Sequence, residues 1–218
     1  MRYTIILLAS LVLASVTAQA DTGPHLWLTV NARSHELWED TKTKTQVSVR
    51  FPEFEDFNYF YLSQKITTKL NDKWSLGTHP VFETSKKGDD WNNTYRLDLE
   101  LNPAKFNLGD NGPTISMRNR WELRWKEGKG SEIFHRIRHS SKASWKINWG
   151  PFSSYTIADE VFFEEHKSKI TRNRIYPVML GSKIGDQKIS YYLLYQSDRQ
   201  GTSSDWDGKY VLGASLSY

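Results

Sequence analysis

Between residues 117 and 125 the chain reads Met117-Arg118-Asn119-Arg120-Trp121-Glu122-Leu123-Arg124-Trp125. Trp121, Leu123 and Trp125 share one parity, and the charged residues between them share the other. A β-strand sends successive side chains to opposite faces of its sheet. This segment therefore predicts a strand with one apolar face and one ionic face.

The same alternation recurs where Leu97, Leu99 and Leu101 alternate with Arg96, Asp98 and Glu100. Soluble sheets alternate too, so strand length has to separate the two possibilities. Strands of soluble proteins average about five or six residues, whereas a tilted membrane-spanning strand needs about nine to eleven. Most candidate strands here are long, which favours an all-β transmembrane antiparallel barrel. They cover about residues 43–51, 57–69, 74–84, 91–102, 113–126, 131–147, 152–165, 169–184, 187–199 and 207–218, with 25–38 less clear.

Aromatic residues make up 14% of the 218 residues, and many lie near the predicted strand ends, as Trp74, Trp91 and Trp149 do. Outer-membrane barrels carry such residues in girdles at both membrane interfaces. Short connections such as Gly150-Pro151 also alternate with longer polar ones, which fits short periplasmic turns and longer external loops. The 103–113 connection is the exception, because it is long where a short turn is expected.

Residues 1–20 have the order of a secretory signal peptide. Arg2 precedes an apolar segment from Ile5 to Val16, and Ala18-Gln19-Ala20 closes it, so we expect cleavage after Ala20. An uncleaved anchor is disfavoured, since about twelve apolar residues fall short of the roughly twenty that span a bilayer. Export and the absence of a later apolar helix predict a Gram-negative outer-membrane location.

The C-terminal strand alternates apolar residues and ends on an aromatic one, with a single parity shared by Tyr210, Leu212, Ala214, Leu216 and Tyr218. This resembles the terminal strand by which the barrel-assembly machinery recognises bacterial outer-membrane barrels. Both termini of such barrels normally lie in the periplasm, so the strand number should be even. Counting back from Tyr218 gives ten strands within residues 43–218. Residues 21–42 are then an N-terminal segment or a first strand, and a missed strand would give twelve.

Composition excludes several classes of protein. The chain has no cysteine, which excludes disulfide scaffolds, thiolate metal sites and iron–sulfur clusters. Its 29 Lys and Arg residues are interspersed with 25 Asp and Glu, whereas a nucleic-acid surface needs clustered cations. Phosphate-binding loops and dinucleotide fingerprints are absent as well. We therefore expect no cofactor, no metal site and no nucleic-acid partner.

Several segments in order resemble the bacterial outer-membrane barrel family catalogued as domain of unknown function 2490. They are the segment from Asn119 to Trp125, then Asp159-Glu160-Val161-Phe162-Phe163, then Asn173-Arg174, Gly181 and Tyr191-Tyr192-Leu193-Leu194-Tyr195-Gln196. Their order and spacing cover most of the mature chain. The resemblance implies a fold and a location, and it implies no activity.

Charged residues on one parity define a candidate lumen. If Leu97, Trp121, Leu123, Ile175 and Met179 face lipid, twelve charged residues on five consecutive strands face inward. Turning an arginine toward lipid would cost about 2–4 kcal/mol at the bilayer midplane. The inward set is Arg96, Glu100, Arg118, Arg120, Glu122, Arg124, Arg136, Arg138, Glu160, Glu164, Arg172 and Arg174.

Two interpretations of this set stay open. The charges could pair into a ladder of salt bridges that closes a narrow barrel. Alternatively, the excess of eight arginines over four glutamates could line a water-filled pore that selects anions, since guanidinium groups match carboxylate and phosphate. Asp159 and Asn173 fall on the opposite, lipid-facing parity. A bulge, a loop position or a shifted register is therefore expected near each of them.

A possible enzymatic motif is His139-x-Ser141, because outer-membrane phospholipases and lipid A deacylases use a His and a Ser two residues apart on the lipid-facing wall. The sequence does not place an Asn or Glu as the third member of a triad. We therefore favour a structural pair, and expect neither catalytic residues nor enzyme activity. His135 and His139 would lie roughly 13 Å apart along a strand, too far to share a metal ion.

The sequence thus predicts an outer-membrane barrel that acts as a narrow passive channel for small anionic solutes. A non-conducting envelope scaffold or binding barrel is the first alternative, and an outer-membrane lipid hydrolase is the second. The expected partners are outer-membrane lipids, the barrel-assembly machinery through the strand ending at Tyr218, and small anionic solutes.

Overall fold

The structure is a computed structural model that describes residues 23–199 and 205–218. The predicted signal peptide lies outside these residues. Within them, no helix is long and apolar enough to cross a membrane. The regular elements are 3-10 helices at Pro52–Phe54 and Glu165–Lys167 and the strands β1 (His25–Asn31), β2 (His35–Trp38), β3 (Thr41–Phe51), β4 (Tyr59–Lys69), β5 (Trp74–Lys87), β6 (Asp90–Pro103), β7 (Phe106–Asn107), β8 (Thr114–Lys126), β9 (Ile133–Trp149), β10 (Phe152–Glu164), β11 (Lys169–Ile184), β12 (Gln187–Arg199) and β13 (Trp206–Ser217).

Eleven of these strands form a closed barrel, which confirms the predicted all-β barrel fold. Neighbouring strands from β3 to β13 are antiparallel, with β6 pairing directly with β8. The two short strands, β2 and β7, each pair with only one strand of the barrel. After a break, β2 continues the line of β1 and pairs with the first residues of β3. Within the long 104–113 connection, β7 pairs with the start of β8.

The barrel closes through β1, which pairs in parallel with β13 and antiparallel with β3. The parallel register runs from His25 opposite Val211 to Asn31 opposite Ser217. Eleven lies within the expected ten to twelve strands, but the expectation of an even number is wrong. An odd number of meandering strands can close only if one neighbouring pair is parallel. The closing strand β1 lies within residues 25–38, which the sequence left open.

The two ends of the barrel carry different connections. The end that holds Tyr218, called the Tyr218 end, has two-residue turns at 150–151 and 185–186 and also the long 104–113 connection. The opposite end, called the His25 end, has longer connections, but β5 and β6 meet there in a two-residue turn at Gly88 and Asp89. Gly88 has φ 64°, a left-handed conformation that glycine adopts without strain.

Side chains point as the alternation predicts, with apolar groups outside and charges inside. Trp121, Ile137 and Ile175 are exposed on the outer wall, whereas Arg120 and Glu160 are buried within the barrel. Soluble proteins show the opposite distribution. The outer wall is therefore the apolar surface of this molecule.

Met179 does not lie on the outer wall as expected, because it lines the interior cavity. The ladder between β11 and β12 shifts register between Ile175 and Val178, and the facing ladder shifts between Thr156 and Ala158. Pro177 lies in this irregular segment and has no N–H to donate to a ladder. The bulge reverses the alternation along β11: even-numbered residues such as Arg174 face the cavity before it, and the odd-numbered Met179 faces the cavity after it.

Aromatic side chains pack together near both ends of the barrel. At the His25 end, Phe82 and Tyr95 have ring centroids 5.5 Å apart. At the Tyr218 end, Trp145 and Tyr155 are separated by 5.7 Å. The apolar outer wall lies between these two bands, as in a barrel with interfacial girdles.

Gly213 provides a test of packing next to the closing strand. It lies in β13 opposite Tyr192, and a Cβ atom at this position would lie 2.0 Å from Cζ of that ring. Gly213→Ala should therefore displace Tyr192 and lower the free energy of unfolding by about 1–3 kcal/mol. Urea unfolding in detergent micelles, followed by tryptophan fluorescence, measures the change.

A double-mutant cycle with Tyr192→Ala is the control for Gly213→Ala. Without the large ring the added methyl group has room, so the double variant should be more stable than the sum of the two single losses predicts. Additive losses would contradict this account.

Candidate functional site

The structure places all twelve predicted lumenal residues on the inner face of the barrel. They lie on β6, β8, β9, β10 and β11, five neighbouring strands. Four of them are only partly buried: Arg118, Arg124, Glu164 and Arg172. The other eight are almost fully buried: Arg96, Glu100, Arg120, Glu122, Arg136, Arg138, Glu160 and Arg174.

Glu122 is the centre of one ionic cluster and is fully buried. It lies directly across the β8–β9 ladder from Arg136. Arg136 donates to Oε2 of Glu122 and Arg138 donates to Oε1, each at 2.6 Å. Two more guanidinium groups, those of Arg96 and Arg120, lie 3.8 Å from the same carboxylate. Four arginines thus surround one negative charge.

Glu160 on β10 forms a second cluster with three arginines. Arg118 and Arg138 donate to its Oε1 at 2.5 and 2.8 Å, and Arg174 donates to Oε2 at 3.3 Å. Arg138 therefore connects Glu122 to Glu160. Because a buried carboxylate needs several donors to offset the loss of its hydration, this sharing stabilises both clusters together.

A third cluster lies on β6 and β8. Asp98 is fully buried and lies 2.6 Å from Nε of Arg96 and 2.8 Å from Nη1 of Arg120. Arg120 also reaches Glu100 at 2.5 Å, and the same carboxylate lies 3.2 Å from Nε2 of His79. The three clusters form one continuous ionic belt along the wall from β5 to β11.

Sequence reasoning missed two carboxylates of this belt, Asp98 and Glu83. Asp98 lies on the parity of Arg96 and Glu100, so the alternation was sufficient to include it. Glu83 accepts from Arg96 at 3.0 Å and from the Tyr59 hydroxyl at 2.7 Å. It is on β5, where residues on both faces are partly apolar, and no parity signal marks its orientation.

A cavity of about 590 Å³ lies beside the ionic belt. Thirteen lysines and arginines line it, against three carboxylates, those of Glu83, Glu160 and Glu164. Asp98 and Glu122 are fully buried and do not reach the cavity, because the guanidinium groups lie in front of them. The surface that a solute would contact is consequently strongly basic.

Three lysines of the cavity, Lys65, Lys126 and Lys142, lack a carboxylate at ion-pair distance within the described residues. Lys65 on β4 and Lys142 on β9 both lie close enough to Arg118 for electrostatic repulsion. Unlike the arginines of the belt, they are not held by salt bridges. Their charge is therefore available to an anion in the cavity.

The opposite side of the cavity is aromatic and apolar. Trp27 packs with Leu194 and Val211, both fully buried. The guanidinium carbon of Arg50 lies 4.1 Å from the ring centroid of Trp27 and 3.8 Å from that of Tyr59. Such cation–π contacts fix the arginine in place without neutralising its charge.

The outer wall carries a separate polar patch, defined here as Asn119, His139, Ser141 and Asp159. Nδ1 of His139 lies 2.8 Å from Oδ1 of Asn119, and its Nε2 lies 2.9 Å from Oγ of Ser141. Asp159 is the cross-strand neighbour of Ser141. The sequence did not reveal Asn119 as a partner, because only the β8–β9 register places it opposite His139.

Register shifts lie near Asp159 and Asn173, as expected, because the β10–β11 ladder is irregular between Thr156 and Ala158 and between Phe162 and Phe163. Between these shifts the ladder is regular from Ala158 to Phe162. Both residues therefore stay on the outer wall. Within the described residues, no group of three or more His, Asp or Glu side chains could hold a metal ion.

The sequence model of a family described as protein of unknown function (DUF2490) matches residues 24–209. The chain belongs to this family. The match confirms the resemblance that the sequence shows, and it spans the barrel from β1 into β13. No significant similarity was found to a curated protein or to a solved structure.

The segments that carry the DUF2490 resemblance contribute to both polar regions of the barrel. Arg120, Glu122 and Glu160 belong to the ionic belt, whereas Asn119 and Asp159 belong to the outer patch. In this member of the family the same strands thus supply the buried charges and the outward polar groups.

Proposed function

We propose that this protein is a Gram-negative outer-membrane barrel whose basic lumen admits small anionic solutes. Its exposed apolar wall, its aromatic bands and its long strands support the membrane placement. The alternative orientation, with the belt arginines toward lipid, would cost about 2–4 kcal/mol for each arginine at the midplane. Outer-membrane lipids would then contact the wall that carries Trp121, Ile137 and Ile175.

The C-terminal strand supports assembly by the barrel-assembly machinery. In β13 the residues that share the parity of Leu212 lie on the outer wall, whereas Val211, on the other parity, is buried. The chain ends on Tyr218, an exposed aromatic residue. This arrangement agrees with an apolar final strand that is presented to the assembly machinery after export.

The basic lining of the cavity is the observation that carries the anion proposal. A low-dielectric wall with thirteen cationic side chains against three carboxylates produces a positive potential within the lumen. Guanidinium groups bind carboxylate and phosphate in two-pronged geometry, and ammonium groups attract the same anions. An anion in the cavity would offset the repulsion between Arg118, Lys65 and Lys142.

The ionic belt narrows the lumen but does not fill it. Barrels of eight strands are filled by side chains, whereas barrels of sixteen strands conduct water and solutes. This eleven-stranded barrel packs its charges on the β5–β11 side and leaves the cavity beside them. A narrow passage for small solutes fits this cross-section better than a wide pore.

Removing two of the unpaired lysines should reduce anion selectivity without removing the belt. For Lys65→Gln combined with Lys142→Gln, we expect the anion-to-cation permeability ratio to fall by about a factor of ten, because the potential in the lumen falls. Single-channel recording of the purified protein in a planar bilayer under a KCl gradient gives this ratio from the reversal potential.

Lys129→Gln is the matched control, since it removes one positive charge from an exposed connection at the His25 end. Its reversal potential should equal that of the unchanged protein. A barrel that never opens in the bilayer, or one that prefers cations, would contradict the channel and favour a non-conducting scaffold. Recovery of the exported protein as a soluble monomer without detergent would contradict the membrane placement.

A further inference from the structure

The polar patch on the outer wall has the connectivity of a serine hydrolase triad. Asn119, His139 and Ser141 form one chain of two hydrogen bonds across β8 and β9, with distances of 2.8 and 2.9 Å. A nucleophile bonded to a base, which is in turn oriented by a third group, is the arrangement that activates a serine hydroxyl. Amides replace carboxylates as the third group in some hydrolases.

The surroundings of Asn119 set the tautomer of His139. Nδ2 of Asn119 donates to the backbone carbonyl of Leu101 at 3.1 Å, so its Oδ1 is the atom that faces the imidazole. An amide oxygen only accepts, and therefore Nδ1 of His139 carries the proton. Nε2 is left with a lone pair directed at the Ser141 hydroxyl. This is the tautomer that a general base requires.

The location of the patch is unusual for polar side chains with a purely structural role. Along β9 it lies between His135, which stacks on Trp121 at 5.5 Å, and Trp145 of the aromatic band near the Tyr218 end. Asp159 beside it has no hydrogen bond or ion pair among the residues that the structure describes. Ionisable side chains that face a membrane are costly and commonly mark functional sites.

We propose that Ser141 is the nucleophile of a hydrolase site on the outer wall that cleaves fatty acyl esters of membrane lipids. The acyl chains that solvate an outer-membrane barrel bring their ester groups to this wall and to no part of the lumen. Apolar side chains such as Ile137 flank the patch and provide a surface for an acyl chain. The site is independent of the anion pathway, because it lies on the other face of the sheet.

The reaction balances with water as the second substrate. Oγ of Ser141 attacks the ester carbonyl carbon while Nε2 of His139 takes the hydroxyl proton. The tetrahedral intermediate then breaks its bond to the lipid alcohol, which leaves with the proton from His139, and an acyl-serine remains. Water attacks the acyl-serine, His139 accepts its proton and returns it to Oγ, and a fatty acid is released.

The test measures release of fatty acid from lipid by the full mature protein reconstituted in vesicles. Phosphatidylethanolamine vesicles and vesicles containing lipopolysaccharide form separate arms, since both lipids carry fatty acyl esters. We expect release in at least one arm and a loss of about a thousandfold in Ser141→Ala. A fluorophosphonate probe should also label Ser141 covalently, which reports the nucleophile whichever lipid is the substrate.

Ser144→Ala is the matched control for Ser141→Ala. Ser144 lies on the same strand but on the opposite parity, where it bonds Thr156 at 2.8 Å. This variant should keep both the lipid hydrolysis and the labelling. Equal hydrolysis by Ser141→Ala would overturn the proposal. Absence of hydrolysis in both arms together with absence of labelling would also overturn it and leave the patch as a contact surface for another protein.

Asn119 acts through His139 and is a positioning residue. Asn119→Asp keeps an oxygen acceptor for Nδ1 and should retain most of the probe labelling, whereas Asn119→Leu removes the acceptor and should slow labelling about a hundredfold. A merely structural role would not distinguish the two variants in labelling rate once both are shown to be folded. Equal rates for them would contradict the triad.

Discussion

Replacement of Glu122 by alanine is expected to lower the free energy of unfolding of the barrel by about 3–5 kcal/mol. The carboxylate is fully buried and accepts from Arg136 and Arg138 at 2.6 Å. Removing it leaves these guanidinium groups, and the two at 3.8 Å, without their central negative charge. Urea unfolding in detergent micelles, followed by tryptophan fluorescence, measures the loss.

Two further variants make the Glu122 prediction specific. Glu122→Gln keeps the shape and the acceptor oxygen but removes the charge. Its free energy of unfolding should therefore lie between those of the unchanged protein and Glu122→Ala. Glu132→Ala removes a carboxylate from the exposed 127–132 connection and should change stability by less than about 0.5 kcal/mol. If Glu122→Ala cost no more than Glu132→Ala, the ionic belt would not be a major source of stability.

Trp27→Ala is expected to destabilise the barrel by about 3–5 kcal/mol, because it removes a large buried ring from the closing strand. Trp27 is 7% exposed and packs against Leu194 and Val211. It also faces the guanidinium groups of Arg50 at 4.1 Å and Arg174 at 4.8 Å. The variant would therefore create a cavity and release two arginines at the same point. Thermal and urea unfolding in the same detergent provide the measurement.

Trp38→Ala is the matched control for Trp27→Ala, since Trp38 is 62% exposed on β2. Trp38→Ala should lower the stability only slightly. Trp27→Phe should be more stable than Trp27→Ala, because the phenyl ring fills part of the cavity. Similar losses for the two alanine variants would show that β1 does not hold the barrel closed in the way the structure indicates.

Most of the fold could be predicted from the sequence because the outer wall is apolar and the inner wall is ionic. That contrast makes the two-residue period of strands such as β6 and β8 visible without any knowledge of their partners. The predicted strand ends were less accurate where both faces of a strand are polar. β5 ends at Lys87, three residues after its predicted end at residue 84. β6 begins at Asp90, one residue before its predicted start at residue 91. Alternation carries no signal in such segments.

Closure and bulges were not predictable from alternation. The partner of β1 is β13, at the other end of the chain, and no local pattern records a pairing so distant in sequence. Pro177 was visible in the sequence, but the position of the resulting bulge, and thus the inward turn of Met179, depends on how the neighbouring ladder of β10 accommodates it.

The candidate sites were predictable to different extents. Parity assigned the twelve charged residues to one face, because a strand fixes which side each residue takes. Parity does not specify cross-strand partners, so the sharing of Arg138 between Glu122 and Glu160 required the structure. For the same reason, the contact between Asn119 and His139 could not be predicted, since they are 20 residues apart and meet only through the β8–β9 register.

The parallel seam between β1 and β13 has a consequence for biogenesis. Until the last residues of the chain have been made and delivered, the first strand has one unsatisfied edge and the final strand has none of its seam contacts. Exposed edges recruit strands from other chains, and contacts between residues so remote in sequence form slowly. The nascent protein therefore has to be protected along the free edges of both strands until the barrel closes. A C-terminal truncation would leave these edges permanently exposed and prone to aggregation.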